Sequence, residues 1–154
     1  KPVYPDANFT MRVTYGETAG YQPKDGVYYD YYTTLSGKVD KFDLGHEDYS
    51  LPGRLVDLYI NKDFGPYADK NGNLRVCFIA SNHTSGGNSG SPVLNANGEL
   101  VGLNFDRSWE GTMSDLYYDP SICRNITVDI RYVLFIIDKF ASADYLLDEM
   151  EIVR

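Results

Sequence analysis

The sequence predicts a mainly β domain: roughly six or seven short antiparallel strands, closed or partly closed on themselves, followed by a C-terminal α-helix. Three observations lead there. Short runs rich in Val, Ile, Phe and Tyr recur at close spacing, bounded by Gly, Pro, Asn and Asp. Strands do not alternate regularly with long helical patterns, so βαβ units fit poorly. After Asp129 the apolar spacing changes to that of a helix.

Taken in order, Asn8 to Tyr15 alternates Phe9, Met11, Val13 and Tyr15 with Thr10, Arg12 and Thr14, the pattern of a half-buried strand. Gly16 to Gly26 is turn-rich, and Val27 to Thr33 reads as a second strand, giving a hairpin with a long loop. Ser50 to Lys62 predicts a helix: Ser50 can cap it, Pro52 suits the first turn, and Leu51, Leu55, Leu58 and Tyr59 share a face. Leu74 to Ala80 is apolar on both faces, as a central strand should be. Pro92–Leu94 and Glu99–Phe105 flank Asn95-Ala96-Asn97-Gly98, whose Asn-Gly marks a hairpin. Shorter strands are expected over Asp115–Tyr118 and Asn125–Val128. From Asp129, a fitting N-cap, Ile130, Val133, Leu134, Ile137 and Ala141 follow helical spacing, and a last short helix is expected over Ser142–Met150.

With 154 residues the chain has about the length of one domain and can bury a core without staples. Hydrophobic residues at 43% exclude a disordered chain. The 14 Lys and Arg against 22 Asp and Glu give a net charge of −8, which argues against nucleic-acid binding. The longest apolar run, Val133–Ile137, is far short of the ~20 residues that span a bilayer. Lys1-Pro2-Val3-Tyr4-Pro5 carries no secretory signal and reads like the middle of a longer polypeptide. Cys77 and Cys123 do not suggest a metal site, and they fit one disulfide or two buried thiols equally well. The 14 Tyr suit half-buried strands.

Chemistry concentrates in Ser81-Asn82-His83-Thr84-Ser85-Gly86-Gly87-Asn88-Ser89-Gly90-Ser91-Pro92, between two predicted strands. Glycines let the backbone take positive φ and approach a ligand closely. Acyl transfer needs that: N–H donors converging on an oxyanion, with a hydroxyl about 3 Å away. The amides of Gly87 and Ser89 are the natural donors and Ser89 the natural nucleophile. A G-x-S-x-G elbow fails at Ser91, and a phosphate nest fails because no Lys-Ser/Thr and no helix follow. A plain Gly/Ser/Asn surface loop is the bland alternative. Only His46 and His83 could act as base. His83, six residues before Ser89 in the same loop, is better explained by packing, and His46 sits in an acidic loop.

Gly87-Asn88-Ser89-Gly90-Ser91-Pro92 resembles the G-D-S-G-G-P loop of chymotrypsin-like serine proteases. Asn88 stands where those enzymes have the Asp used in zymogen activation, and Ser91 replaces a glycine. More closely, Thr84 to Asn95, Gly102 to Asp115 and Asp129 to Lys139 are similar to the bacterial dipeptidyl peptidases of the seven and eleven family, with the similarity running over the whole chain. The resemblance implies the second barrel of a chymotrypsin-like double barrel (about 8–128) with a C-terminal helical segment (about 129–150). It places the first barrel, a helical cap domain and the catalytic His and Asp outside this chain. It implies release of dipeptides from free peptide N-termini, no cofactor, no metal, a homodimer, and the periplasm or cell surface of a Gram-negative bacterium. By position Ser89 is then the nucleophile and Gly87 an oxyanion amide. Asp106 holds the substrate's N-terminal ammonium, and Arg107 selects Asp or Glu before the cut, as a planar guanidinium can bind a carboxylate bidentately. Trp109 is left between the specificity pocket and the core.

Overall fold

The computed structural model describes residues 9–43 and 45–153. It is mainly β, with antiparallel pairing in the assigned ladders, two α-helices between the third and fourth strands and one after the last strand. A two-stranded sheet pairs β1 (Tyr21–Lys24) with β2 (Val27–Tyr29). A five-stranded sheet has the order β3-β4-β7-β6-β5, from β3 (Tyr32–Thr34), β4 (Arg75–Ala80), β5 (Pro92–Leu94), β6 (Leu100–Arg107) and β7 (Asn125–Asp129). The helices are α1 (Leu35–Phe42), α2 (Gly53–Ile60) and α3 (Ile130–Phe135), with one π-helical turn over Ile136–Phe140.

Two compact units divide the chain. The first comprises the described residues up to Tyr32 together with Cys77–Val128; the second comprises Thr33–Val76 and the described residues from Asp129 onward. The helical unit packs Leu35, Val39, Leu55, Phe64, Tyr67, Leu74 and Phe135 into a core, with Phe64 and Phe135 edge to face at 6.0 Å between ring centres. Burying such side chains stabilises by about 1.5–3 kcal/mol each. Asp129 caps α3 as expected, its carboxylate accepting the Arg131 amide at 2.9 Å.

In the first unit the hairpin of β5 and β6 forms as predicted, closed by Gly98 at φ +82° and by Asn95, whose Oδ1 accepts the amides of Asn97 and Glu99. β4 lies inside the sheet, with Cys77 opposite Val128. Cys123 is buried, and no disulfide joins it to Cys77. Gly102 sits where a Cβ would meet the Val128 carbonyl oxygen and Thr127, so its lack of a side chain lets β6 approach β7.

Several elements differ from expectation. Asn8 lies outside the described residues, and 9–15 form no strand: Phe9, Met11, Val13 and Tyr15 are each at least 81% exposed. Alternation gives that segment a sheet face, but no ladder among the described residues receives it. The first hairpin is instead β1–β2, turned by Asp25-Gly26 with Gly26 at φ +74°. Pro23 within β1 masks the strand, though an edge strand tolerates it. α1 was not expected, because Gly37 weakens its helical pattern and only Leu35 and Val39 are buried. Pro52, not Ser50, precedes α2. Asp115–Tyr118 is not a strand; Trp109–Asp115 forms a 3-10 helix that ends there. The last predicted helix is a 3-10 helix over Asp144–Glu149.

Candidate active site

The segment between β4 and β5 turns twice. The Asn88 amide donates to the Ser85 carbonyl at 3.2 Å while its Oδ1 accepts the Ser85 amide at 2.8 Å. Ser91 then donates its amide to the Asn88 carbonyl at 3.1 Å. Between these turns Ser89 is exposed, flanked by Gly87 at φ +91° and Gly90 at φ +83°. A Cβ on Gly90 would meet nothing within 4 Å, so glycine is needed there for conformation and not for space.

Asn104 of β6 holds this loop by three bonds. Its carbonyl accepts the Gly90 amide at 2.7 Å, its amide donates to the Ser91 carbonyl at 2.9 Å, and its Nδ2 donates to the Asn88 carbonyl at 3.1 Å. Behind it, the buried Asn125 donates Nδ2 to Asn104 Oδ1 at 2.9 Å and to Thr127 Oγ1 at 3.2 Å. Each of these bonds favours one loop conformation, although the buried Asn125 Oδ1 has no partner among the described residues. Asn125 begins an Asn-X-Thr sequon, but at 2% exposure it offers no place for a glycan.

Among the described residues, the amides of Asn88, Gly90 and Ser91 donate within the protein, whereas those of Gly87 and Ser89 donate to no protein acceptor. Two unspent N–H groups therefore bracket the Ser89 position. Its hydroxyl makes one long contact, 3.5 Å to the Phe105 carbonyl oxygen. No histidine among the described residues hydrogen-bonds to it. His83 Nε2 donates to the Ser114 carbonyl at 3.0 Å, which fixes its tautomer, and its ring lies against Tyr118 at 4.8 Å. His46 caps the 3-10 helix Glu47–Tyr49, its Nδ1 accepting the Asp48 amide at 3.3 Å.

β6 carries the other two candidates. Asp106 is exposed, and one of its carboxylate oxygens accepts the Arg107 amide at 2.7 Å. Arg107 does not pair with Glu110, which instead accepts the Tyr21 hydroxyl at 2.6 Å. Its guanidinium forms a two-pronged pair with Asp115, Nη1 to Oδ1 at 2.6 Å and Nη2 to Oδ2 at 3.1 Å. Nη1 also donates to Ser114 Oγ at 2.9 Å and to the Thr84 carbonyl at 3.4 Å. This pairing holds the Asp115 carboxyl below the usual carboxylate range and raises Arg107. Trp109 is 85% exposed and belongs to no core. Sequence reasoning missed Asn104, Asn125 and Asp115, because an Asn within a strand or an Asp at the end of a 3-10 helix shows its partner only in three dimensions. No group of three or more metal-ligating side chains occurs among the described residues.

A family model described as peptidase S46 matches residues 1–152. An Asp/Glu-specific dipeptidyl-peptidase of Flavobacterium psychrophilum is 60% identical over 99% of this chain and 21% of its own length. A dipeptidyl-peptidase 7 of Phocaeicola vulgatus is 53% identical over 100% of this chain and 21% of its own. The crystal structure of Porphyromonas endodontalis DPP11 in complex with the dipeptide Arg-Asp superposes with a TM-score of 0.87 at 51% identity, over 90% of this chain and 20% of that one. The chain thus spans about a fifth of the length of these relatives. With a family match that runs almost end to end, this chain belongs to the peptidase S46 family.

Proposed function

We propose that this chain supplies the nucleophile and the specificity residues of a serine dipeptidyl peptidase that removes dipeptides from free peptide N-termini, with Asp or Glu as the second residue. The observation that carries this reading is the exposed Ser89 between two positive-φ glycines, bracketed by the uncommitted amides of Gly87 and Ser89. The Ser89 hydroxyl attacks the scissile carbonyl, and those two amides take up the oxyanion as it forms. A hydroxyl needs a base and the base an orienting acid. Both come from the remainder of a longer polypeptide, in keeping with relatives about five times the length of this chain. The isolated 154 residues are then expected to be inactive.

Asp106 keeps one carboxylate oxygen uncommitted after accepting the Arg107 amide, and this oxygen receives the substrate's N-terminal ammonium by a charge-assisted bond. Arg107 takes the acidic side chain. The names of the Asp/Glu-specific relatives from Flavobacterium psychrophilum and Capnocytophaga gingivalis support that preference. The full enzyme is read as a chymotrypsin-like double barrel with a helical cap, acting without metal or cofactor. It is read as a homodimer in the periplasm or at the cell surface of a Gram-negative bacterium.

The test uses the full-length polypeptide and peptides with Glu second, offered with free or acetylated N-termini. Ser89→Ala is expected to lower kcat/KM by at least about a thousandfold, and dipeptides are expected only from the free amines. Undiminished turnover in Ser89→Ala would overturn the nucleophile assignment and favour a non-catalytic, binding role for this part of the polypeptide. Equal cleavage of acetylated peptides would make the enzyme a Glu-specific endopeptidase.

A further inference from the structure

A guanidinium offers two edges that can each hold a carboxylate by two bonds, the Nη1/Nη2 end and the Nε/Nη2 side. In Arg107 the end is occupied. Asp115 takes both Nη groups, and Nη1 also serves Ser114 Oγ and the Thr84 carbonyl. Ser114 and Thr84 are buried, at 2% and 7% exposure, while the Asp115 side chain is about half exposed, at 49%. Nε donates to no acceptor among the described residues. We infer that Asp115 is a specificity-determining partner of Arg107, gripping the Nη end so that the Nε/Nη2 side is presented to the carboxylate of a substrate's penultimate Asp or Glu.

This inference rests on the reading of Arg107 under Proposed function and deepens it. Asp115 closes the 3-10 helix Trp109–Asp115, whose start is tied down by the Ser108 amide donating to the Arg124 carbonyl at 2.9 Å. The grip therefore comes from an anchored element. A gripped guanidinium discriminates in two ways. An acidic side chain satisfies the waiting Nε–H and Nη2–H, whereas an apolar one leaves them desolvated and unpaired. An ungripped arginine could swing aside and make room for an apolar side chain. In a rival arrangement Asp115 occupies the substrate carboxylate's own place and is displaced on binding. The bonds from the same Nη1 to the buried Ser114 and Thr84 hold that end without Asp115 having to move, and they favour the grip.

The two arrangements differ in sign. In the full-length polypeptide, the ratio of kcat/KM for a peptide with Glu second to that for one with Leu second is measured for the unmodified protein, Asp115→Ala, Asp115→Asn and Arg107→Ala. The ratio compares two substrates on one preparation, so partial loss of folded protein cancels. Asp115→Ala is expected to lower it about tenfold or more. Asp115→Asn, which keeps one acceptor oxygen, is expected to lose less than Asp115→Ala. A ratio that rises in Asp115→Ala would show that Asp115 holds the substrate's place and would overturn the inference. So would an unchanged ratio in Asp115→Ala beside a collapsed one in Arg107→Ala. If Arg107→Ala itself leaves the ratio intact, the assignment of Arg107 falls and the role of Asp115 falls with it.

Discussion

Asn104 shows how a single residue can decide whether a serine is usable. It bonds to Asn88, Gly90 and Ser91 and so grips the chain on both sides of Ser89 without touching the hydroxyl. Asn104→Ala removes the Nδ2 bond to Asn88 and one of the two acceptors of the buried Asn125 Nδ2, a loss of about 1–3 kcal/mol. We expect kcat to fall more than KM changes, since the amides of Gly87 and Ser89, proposed to take up the oxyanion, would lose their register; steady-state kinetics on the full-length protein decide this, and a pure KM effect would contradict it. A second residue sets a pH limit. Burial, and then the Glu110 carboxylate that accepts its hydroxyl, push Tyr21 up to about 12. Unfolded tyrosine ionises near pH ~10, so the stability tied to neutral Tyr21 is complete below that value and is lost as pH rises towards 12. Between about pH 9 and about pH 11 the urea midpoint is expected to drop further in the unmodified protein than in Tyr21→Phe. Equal drops would remove Tyr21 from the account. The candidates the sequence offers are Gly87 and Ser89, from one glycine-rich motif, and Asp106 and Arg107, from the family resemblance. Asn104, Asn125 and Asp115 are not among them, since the pairing of Asn125 with Asn104 spans 21 residues and that of Arg107 with Asp115 needs a helix turn the sequence did not announce.

At the scale of elements, periodicity succeeded where both faces of a segment have partners. β4, the β5–β6 hairpin, α2 and α3 all formed near their expected positions, because apolar spacing and the Asn-Gly turn act locally. It failed over 9–15, where alternation supplies a face but not the neighbour that would cover it. The β1–β2 hairpin had a readable signal in Asp25-Gly26, hidden by Pro23. Strand contact also depends on the absence of a side chain at Gly102. Gly102→Ala would drive a methyl group towards the Val128 carbonyl and to 2.5 Å from the Thr127 methyl. Since backbone cannot step aside cheaply, the substitution should destabilise by about 1–3 kcal/mol or more. Chemical denaturation measures this, and an unchanged midpoint would mean that β6 and β7 are not held as described. The buried Arg124 secures the same region, donating to the carbonyls of Ala19, Gly20, Pro120 and Cys123.

At the scale of the whole molecule, the two compact units differ in what they hold. The first unit carries Ser89, Gly87, Asp106 and Arg107, while the second holds the aliphatic and aromatic core around Phe135. The second unit combines two stretches distant in sequence, Thr33–Val76 and the segment from Asp129, which no local pattern reveals. A loop held by buried amides can keep an exposed hydroxyl ready for the base that the proposed function requires. The most direct measurement treats the full-length polypeptide with a fluorophosphonate, which phosphonylates an activated serine with loss of fluoride, and locates the adduct by peptide mass spectrometry. The account predicts a single adduct on Ser89, growing in step with the loss of dipeptide release. An adduct on another serine, with Ser89 unmodified while activity disappears, would contradict it.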